Sequence, residues 1–150
     1  MEITMSSIVN CAGTPPMFFK EWTYRPTDQL PNLYKGELDV SAVVAVQAPS
    51  QQNGYTQIYV IERELGDYEF VGAHAAEWFA RPENKTAFLE LCPSGALVFH
   101  EKYRDRHRFP MSVFLYVREG LVRVGSGWRD NGVAVFDVRY HFAVRRQPNT

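Results

Sequence analysis

Alternation of apolar and polar residues over four to eight positions predicts a half-buried strand. Read this way, the chain beyond Ala96 predicts four strands, ALVFHEKY, MSVFLYVR, LVRV and VAVFDVRYHFAV. Upstream, DVSAVVAV (39–46) and YTQIYVIER (55–63) predict two more, paired as a hairpin across the long Pro, Ser, Gln and Asn-Gly loop of 49–54. YEFVGA, after a Gly66-Asp67 turn, predicts a short third. The helical signal is confined to the middle. AHAAEWFA (73–80) holds good helix formers, and RPENKTAFLEL places Pro82 in a first turn beside Glu83, before Cys92-Pro93-Ser94-Gly95 stops it. Strands on both sides of a helical insert, without βαβ alternation, predict an α+β fold. It is a mainly antiparallel, twisted sheet, open or partly closed into a barrel, with one or two short helices around 73–92.

The C-terminal strands also predict a register. Glu119-Gly120 as a two-residue turn pairs Val117 with Val122, Tyr116 with Arg123 and Leu115 with Val124. Val113, Leu115, Val117, Val122 and Val124 then form an apolar core face, with Phe114, Tyr116 and Arg123 opposite. In the last strand Ala134, Phe136, Val138, Tyr140, Phe142 and Val144 alternate with Asp137, Arg139 and His141. If Asn131-Gly132 makes a second tight turn on a regular ladder, Val124 faces Arg139 and Val122 faces His141, burying ionisable groups at a cost of several kcal/mol. A one-residue bulge at Gly125-Ser126-Gly127 removes that conflict. It also gathers Tyr116, Arg123, Asp137, Arg139 and His141 on one face of three adjacent strands.

Composition narrows the class. A chain of 150 residues is long enough for one domain with a real core, and 45% apolar with 14% aromatic residues excludes a disordered one. Residues 1–150 are therefore expected as a single domain, with 1–38, rich in Pro15, Pro16, Pro26, Pro31 and aromatics, as an extended segment wrapping it. No run of about 18 apolar residues and no secretory n- and h-region is present, so no membrane association is expected and a soluble, cytoplasmic protein is. Cys11 and Cys92 are expected as reduced thiols. Residues 1–75 carry four Lys/Arg against nine Asp/Glu (4 − 9 = −5), and 76–150 carry twelve against eight (12 − 8 = +4), which balances to the net −1 without a strong field of either sign.

The candidate chemistry is sparse. Arg123 and Arg139 suit carboxylate or phosphate, Tyr116 a stacking or donor role, Asp137 and His141 the remaining polar edge, so an anionic, nucleotide-like ligand fits this face. If a reaction occurs there, His141 is the proton carrier, since its ordinary pKa lies near neutrality. HEKYRDRHRF (100–109) mixes bases and acids and reads as a solvated hairpin loop before a nucleic-acid contact. His74 and Glu77 have ligand spacing but no third or fourth ligand, and no P-loop, GxGxxG or GxSxG motif occurs, so neither a metal nor a cofactor is expected. Trp22, Tyr24 and Tyr34 in the Pro-rich segment suit protein contact. Two functions follow as expectations. The first is a small non-enzymatic interaction protein of the inhibitor, immunity or antagonist type, whose partner is another protein. The alternative is a binder or hydrolase of an anionic, nucleotide-like small molecule.

Overall fold

The computed structural model describes residues 7–47, 55–93, 96–126, 129–130, 133–137 and 140–146, and of 55–57, 129–130 and 133–137 the backbone alone. In chain order the elements are β1 (Ile8–Asn10), β2 (Thr23–Tyr24), β3 (Glu37–Asp39), β4 (Val43–Gln47), β5 (Tyr55–Gln57), α1 (Ile58–Glu64), β6 (Tyr68–Phe70), α2 (Ala73–Ala80), α3 (Lys85–Leu91), β7 (Ala96–Arg104), β8 (Pro110–Arg118), β9 (Leu121–Ser126), β10 (Arg129–Asp130), β11 (Val133–Asp137) and β12 (His141–Arg146). The main sheet runs β4-β12-β7-β8-β9, antiparallel except for the parallel β12–β7 pair. β6 takes over beside β12 where β7 leaves it, and β2 pairs with the far end of β7. A second sheet is β10-β11-β5, and β1 pairs with β3. The fold is α+β with a mixed, open sheet rather than a barrel: β4 and β9 form its ends and do not pair with each other.

Both faces of this sheet are covered. Leu97, Phe99, Val113, Leu115 and Ala143 pack against α2 and α3 through Ala73, Ala76, Phe79 and Phe88. Val98, Phe142, Val144 and the half-buried Phe114 pack on the other face against Ile61 and Leu65, which α1 brings down. A strand covered on both sides gains from being apolar at every position, which is why β7 begins with an apolar run, ALVF, instead of alternating.

The segment 55–63 departs from the expected strand, because only Tyr55–Gln57 is extended. Ile58, Ile61 and Leu65 recur at three and four residues, a helical spacing that outweighs the β-branched composition and turns one stripe into the second core. Nor do 39–46 and 55–63 form a hairpin, since β4 pairs with β12 and β5 with β11. The Glu119-Gly120 hairpin has the expected register, Val117 with Val122, Tyr116 with Arg123 and Leu115 with Val124. Its turn residues have φ of 54° and 77°, the left-handed values of a tight hairpin.

Among the described residues β9 shows no bulge: the β8–β9 ladder is regular from Arg118–Leu121 to Val113–Ser126, and Gly125 has no positive φ. Gly127 lies outside the described residues. The conflict between hairpin and alternation is resolved differently. Asn131-Gly132 lie outside the described residues; Asp130 pairs with Val133, and that ladder joins β10 to β11, not β9 to the last strand. The last strand itself divides. β11 joins the small sheet, while β12 inserts between β4 and β7, so Phe142 and Val144 pack with Phe114 and not beside Val122 and Val124. The register shift of the main sheet lies in β7, between Phe99 and Tyr103, where His100 and Glu101 are buried.

Candidate functional site

Register explains the cleft. On β8, Phe114 stands opposite Gly125 and Tyr116 opposite Ala96, so each ring on one face of the sheet has a small residue across the ladder. The Phe114 ring rests on the glycine so closely that a Cβ at Gly125 would lie 2.6, 2.9 and 3.0 Å from three of its carbons. Glycine is needed here for close approach, not for φ. Tyr116 and Tyr140 flank Phe114, with centroids 5.5 and 5.3 Å from its own. These residues, with Gln47 and His141 where β4 ends and β12 begins, line an open cleft of about 710 Å³. The walls are aromatic, and polarity comes from two phenols, an amide and an imidazole.

Of the residues read from the sequence as one polar face, Tyr116 and His141 line this cleft. Arg123 is not among the lining residues; it pairs with Tyr116, follows the same alternation as Gly125, and is exposed, 4.0 Å from Glu119. Among the described residues, Tyr116 and Arg123 share one face of the β8–β9 pair, while His141 does not follow their register. His141 stands level with Leu97, on the register of the helix-covered side, and reaches the cleft as the first residue of β12. Asp137 ends β11 with its backbone paired to Tyr55, and its side chain, like all of Arg139, lies outside the described residues.

The N-terminal aromatics clasp their own domain. Trp22 is buried, its ring 4.5 Å from Phe19 and 5.2 Å from Tyr103, and is not available to a partner. Half-buried Tyr24 accepts from Lys35 Nζ, and burial with the neighbouring Glu101 carboxylate pushes its phenol up to about 12. Tyr34 donates to the Glu37 carbonyl and lies under the Arg145 guanidinium, 4.1 Å from the ring.

Of the charged run 100–109, His100 to Arg104 belong to β7, in line with the expected strand ALVFHEKY, and 105–109 form the turn before β8. There Asp105 accepts from the His107 and Phe109 amides, Arg104 donates to Asp28 at 3.0 Å, and Arg106 faces Glu21 at 3.7 Å. Bases matched by acids leave little field for phosphates.

Sequence reasoning missed a buried polar chain on the α1 side. His100 Nδ1 lies 3.1 Å from Ser112 Oγ, and Nε2 lies 2.8 Å from Glu62 Oε2, which Lys102 also approaches at 3.4 Å. Burial works to raise the Glu62 carboxyl, but the hydrogen bond from His100 and the electrostatic pull of His100 and Lys102 outweigh it and hold the carboxyl below its ordinary range. A hydroxyl, an imidazole and a carboxylate in line suggest nucleophilic catalysis. Here, however, Ser112 is 6% exposed and Phe70 and Phe142 wall the imidazole at 5.1 and 6.2 Å, so the chain ties α1 to the sheet. The available signal was HEK inside an otherwise apolar strand. On the opposite face Glu101 accepts from the Ala73 amide at 2.7 Å and so satisfies the N-terminus of α2. Cys11 and Cys92 are both buried and not joined, and burial with Glu101 pushes the Cys11 thiol up to about 11, where it is a poor nucleophile.

Comparison of the chain with protein-family models, with curated proteins and with solved structures finds no match in any of the three. Among the described residues no helix is long and apolar enough to cross a membrane.

Proposed function

We propose that the protein binds a small, planar, anionic molecule of nucleotide-like character in the Phe114–Tyr116–Tyr140 cleft. The observation that carries this reading is a concave site of about 710 Å³ walled by three aromatic rings over Ala96 and Gly125. Concave, mostly apolar sites with a few convergent polar groups suit small molecules, and a stacked base contributes roughly 1–3 kcal/mol. Arg123, paired across the ladder with the lining residue Tyr116, supplies the cation for the ligand's charge, and His141 supplies an imidazole for hydrogen bonding. A thermal-shift screen against nucleotides and sugar phosphates tests it. A ligand at about 100 times its dissociation constant adds roughly 2.7 kcal/mol of stability. No shift with any planar anion rejects the reading.

The second reading, an interaction protein, keeps some support from Ile8, Met17, Tyr59 and Leu121, large apolar side chains left exposed. It loses Trp22 as its anchor. Co-purification of a macromolecule from the native host, without any effect of small anions, favours it over the cleft.

A further inference from the structure

The Glu119-Gly120 hairpin fixes which backbone groups of β9 stay outside the sheet. A two-residue turn closes on a hydrogen-bonded pair, Arg118 with Leu121, and the pattern alternates from there, so Tyr116–Arg123 and Phe114–Gly125 exchange bonds too. Val122, Val124 and Ser126 therefore turn their N–H and C=O groups away from β8. β9 ends the strand order of the main sheet, and among the described residues no strand pairs with that side. Monomers blunt such an edge with a proline, a bulge or a lysine. β9 has none of these: its ladder is regular from end to end, and Leu121 at its start is 56% exposed.

We propose that β9 pairs antiparallel with β9 of a second copy about a two-fold axis at Val124, and that Arg123 of that copy completes the cleft. In a two-fold contact each pairing is made twice, residue i with j and j with i. Only a centre at Val124 matches the outward-facing residues among themselves, Val124 with its own copy and Val122 with Ser126, so that every free group of the edge is bonded. A centre at Arg123 instead sets two guanidiniums directly opposite each other, which is unfavourable. With the axis at Val124, the exposed Arg123 falls opposite Gly125 of the other copy. One row across four strands then reads Phe114, Gly125, Arg123, Tyr116, the last two from the second copy. The missing side chain at Gly125 lets the guanidinium come against the Phe114 ring that rests on that glycine. Among the described lining residues the cleft has phenols, an amide and an imidazole but no Arg or Lys, and the second copy supplies one. The role of Arg123 rests on the cleft reading; the pairing of copies stands on the strand edge alone.

Sedimentation equilibrium of the intact chain tests the pairing and should show a dimer that dissociates on dilution. Ser126→Pro removes an outward N–H that β8 does not use, so the variant should fold and its dimer should weaken roughly tenfold or more. Val124→Cys gives a second reading that needs no loss of the dimer. Residues exchanging hydrogen bonds across an antiparallel pair lie about 5.5 Å apart, within disulfide reach, so mild oxidation should cross-link two copies, while Cys11 and Cys92 are buried. A monomer at every attainable concentration overturns the proposal. So does a dimer that Val124→Cys fails to cross-link, because its copies are then joined elsewhere or in another register. Adenosine 5′-monophosphate separates the shared site from the interface. It should tighten the dimer of the intact chain, and its thermal shift should be lost in monomeric Ser126→Pro, which keeps its own Arg123. An equal shift in that monomer, or a dimer equally tight with and without the nucleotide despite a shift, overturns the part played by the second copy's Arg123 and leaves the cleft reading standing. No shift at all, with the cross-linked dimer intact, overturns the nucleotide-like reading and leaves the β9 interface in place.

Discussion

Glu119 holds a φ of 54°, left-handed backbone in which a Cβ is crowded and which glycine or asparagine tolerates better. Its carboxylate reaches Arg123 only at 4.0 Å with both side chains exposed, so little is lost with it. Glu119→Asn should therefore stabilise the hairpin by about 0.5–1 kcal/mol, measured by urea denaturation. Gly125 is the opposite case. Its φ is ordinary, and what forbids a side chain is the Phe114 ring. Gly125→Ala should displace that ring into the cleft, destabilise by about 1–3 kcal/mol and weaken any stacked ligand, read by denaturation and by the thermal-shift assay. The Glu119-Gly120 turn was legible because two residues suffice to specify it. The role of Gly125 was not, because glycine there was read as freedom for a bulge and not as room for the Phe114 ring.

The element that composition misassigned is α1. Its β-branched residues argued for a strand, while the stripe Ile58, Ile61, Leu65 needed a helix to reach one core. Its attachment has an acid limb. The Glu62 carboxyl, ordinarily near 4.5, is held lower in the fold, so the folded state favours the ionised form. That contribution is fully present above about pH 4.5 and is lost as pH falls through the lowered folded value. Asp28, hydrogen-bonded by Arg104 and likewise held low, acts in the same direction. Chemical denaturation between pH 7 and 3 should show stability falling at the acid end. Glu62→Gln should remove on the order of 1 kcal/mol at pH 7 and flatten that fall, whereas an unchanged pH profile would mean that Glu62 does not ionise differently in the fold.

At the scale of the molecule, the N-terminal segment completes the core. Cys11, Trp22, Leu33 and Leu38 are all buried, and Tyr103, on which Trp22 stacks, donates to the Pro16 carbonyl at 2.8 Å. Trp22→Ala should accordingly cost about 3–5 kcal/mol in a denaturation experiment, the range for a buried tryptophan. A cost near zero, with Trp22 fluorescence already that of a water-exposed indole, would return the residue to the surface and restore the partner-binding expectation. Covering both sheet faces also explains why the chain carries so many aromatics for its length: two cores, one under α2 and α3 and one under α1, are filled from one set of strands.

The fold class, the helices near 73–92 and the β8–β9 register were determined locally. Turn chemistry, capping and periodicity act over a few residues and need no knowledge of what lies above the sheet. The order of strands was not so determined. A parallel β7–β12 pair, and a last strand divided between two sheets, follow from which edges are left to be covered once the other elements have packed. The candidate site shows the same division. Tyr116 and Arg123 were adjacent in the reading of the hairpin, because two strands joined by a two-residue turn have one register. His141, Tyr140 and Gln47 joined them only in three dimensions. Alternation separates core from solvent when one face of a sheet is wet. With helices on both faces it states only which of two cores a residue enters, and His141, level with Leu97, falls on the other register from Tyr116 for that reason.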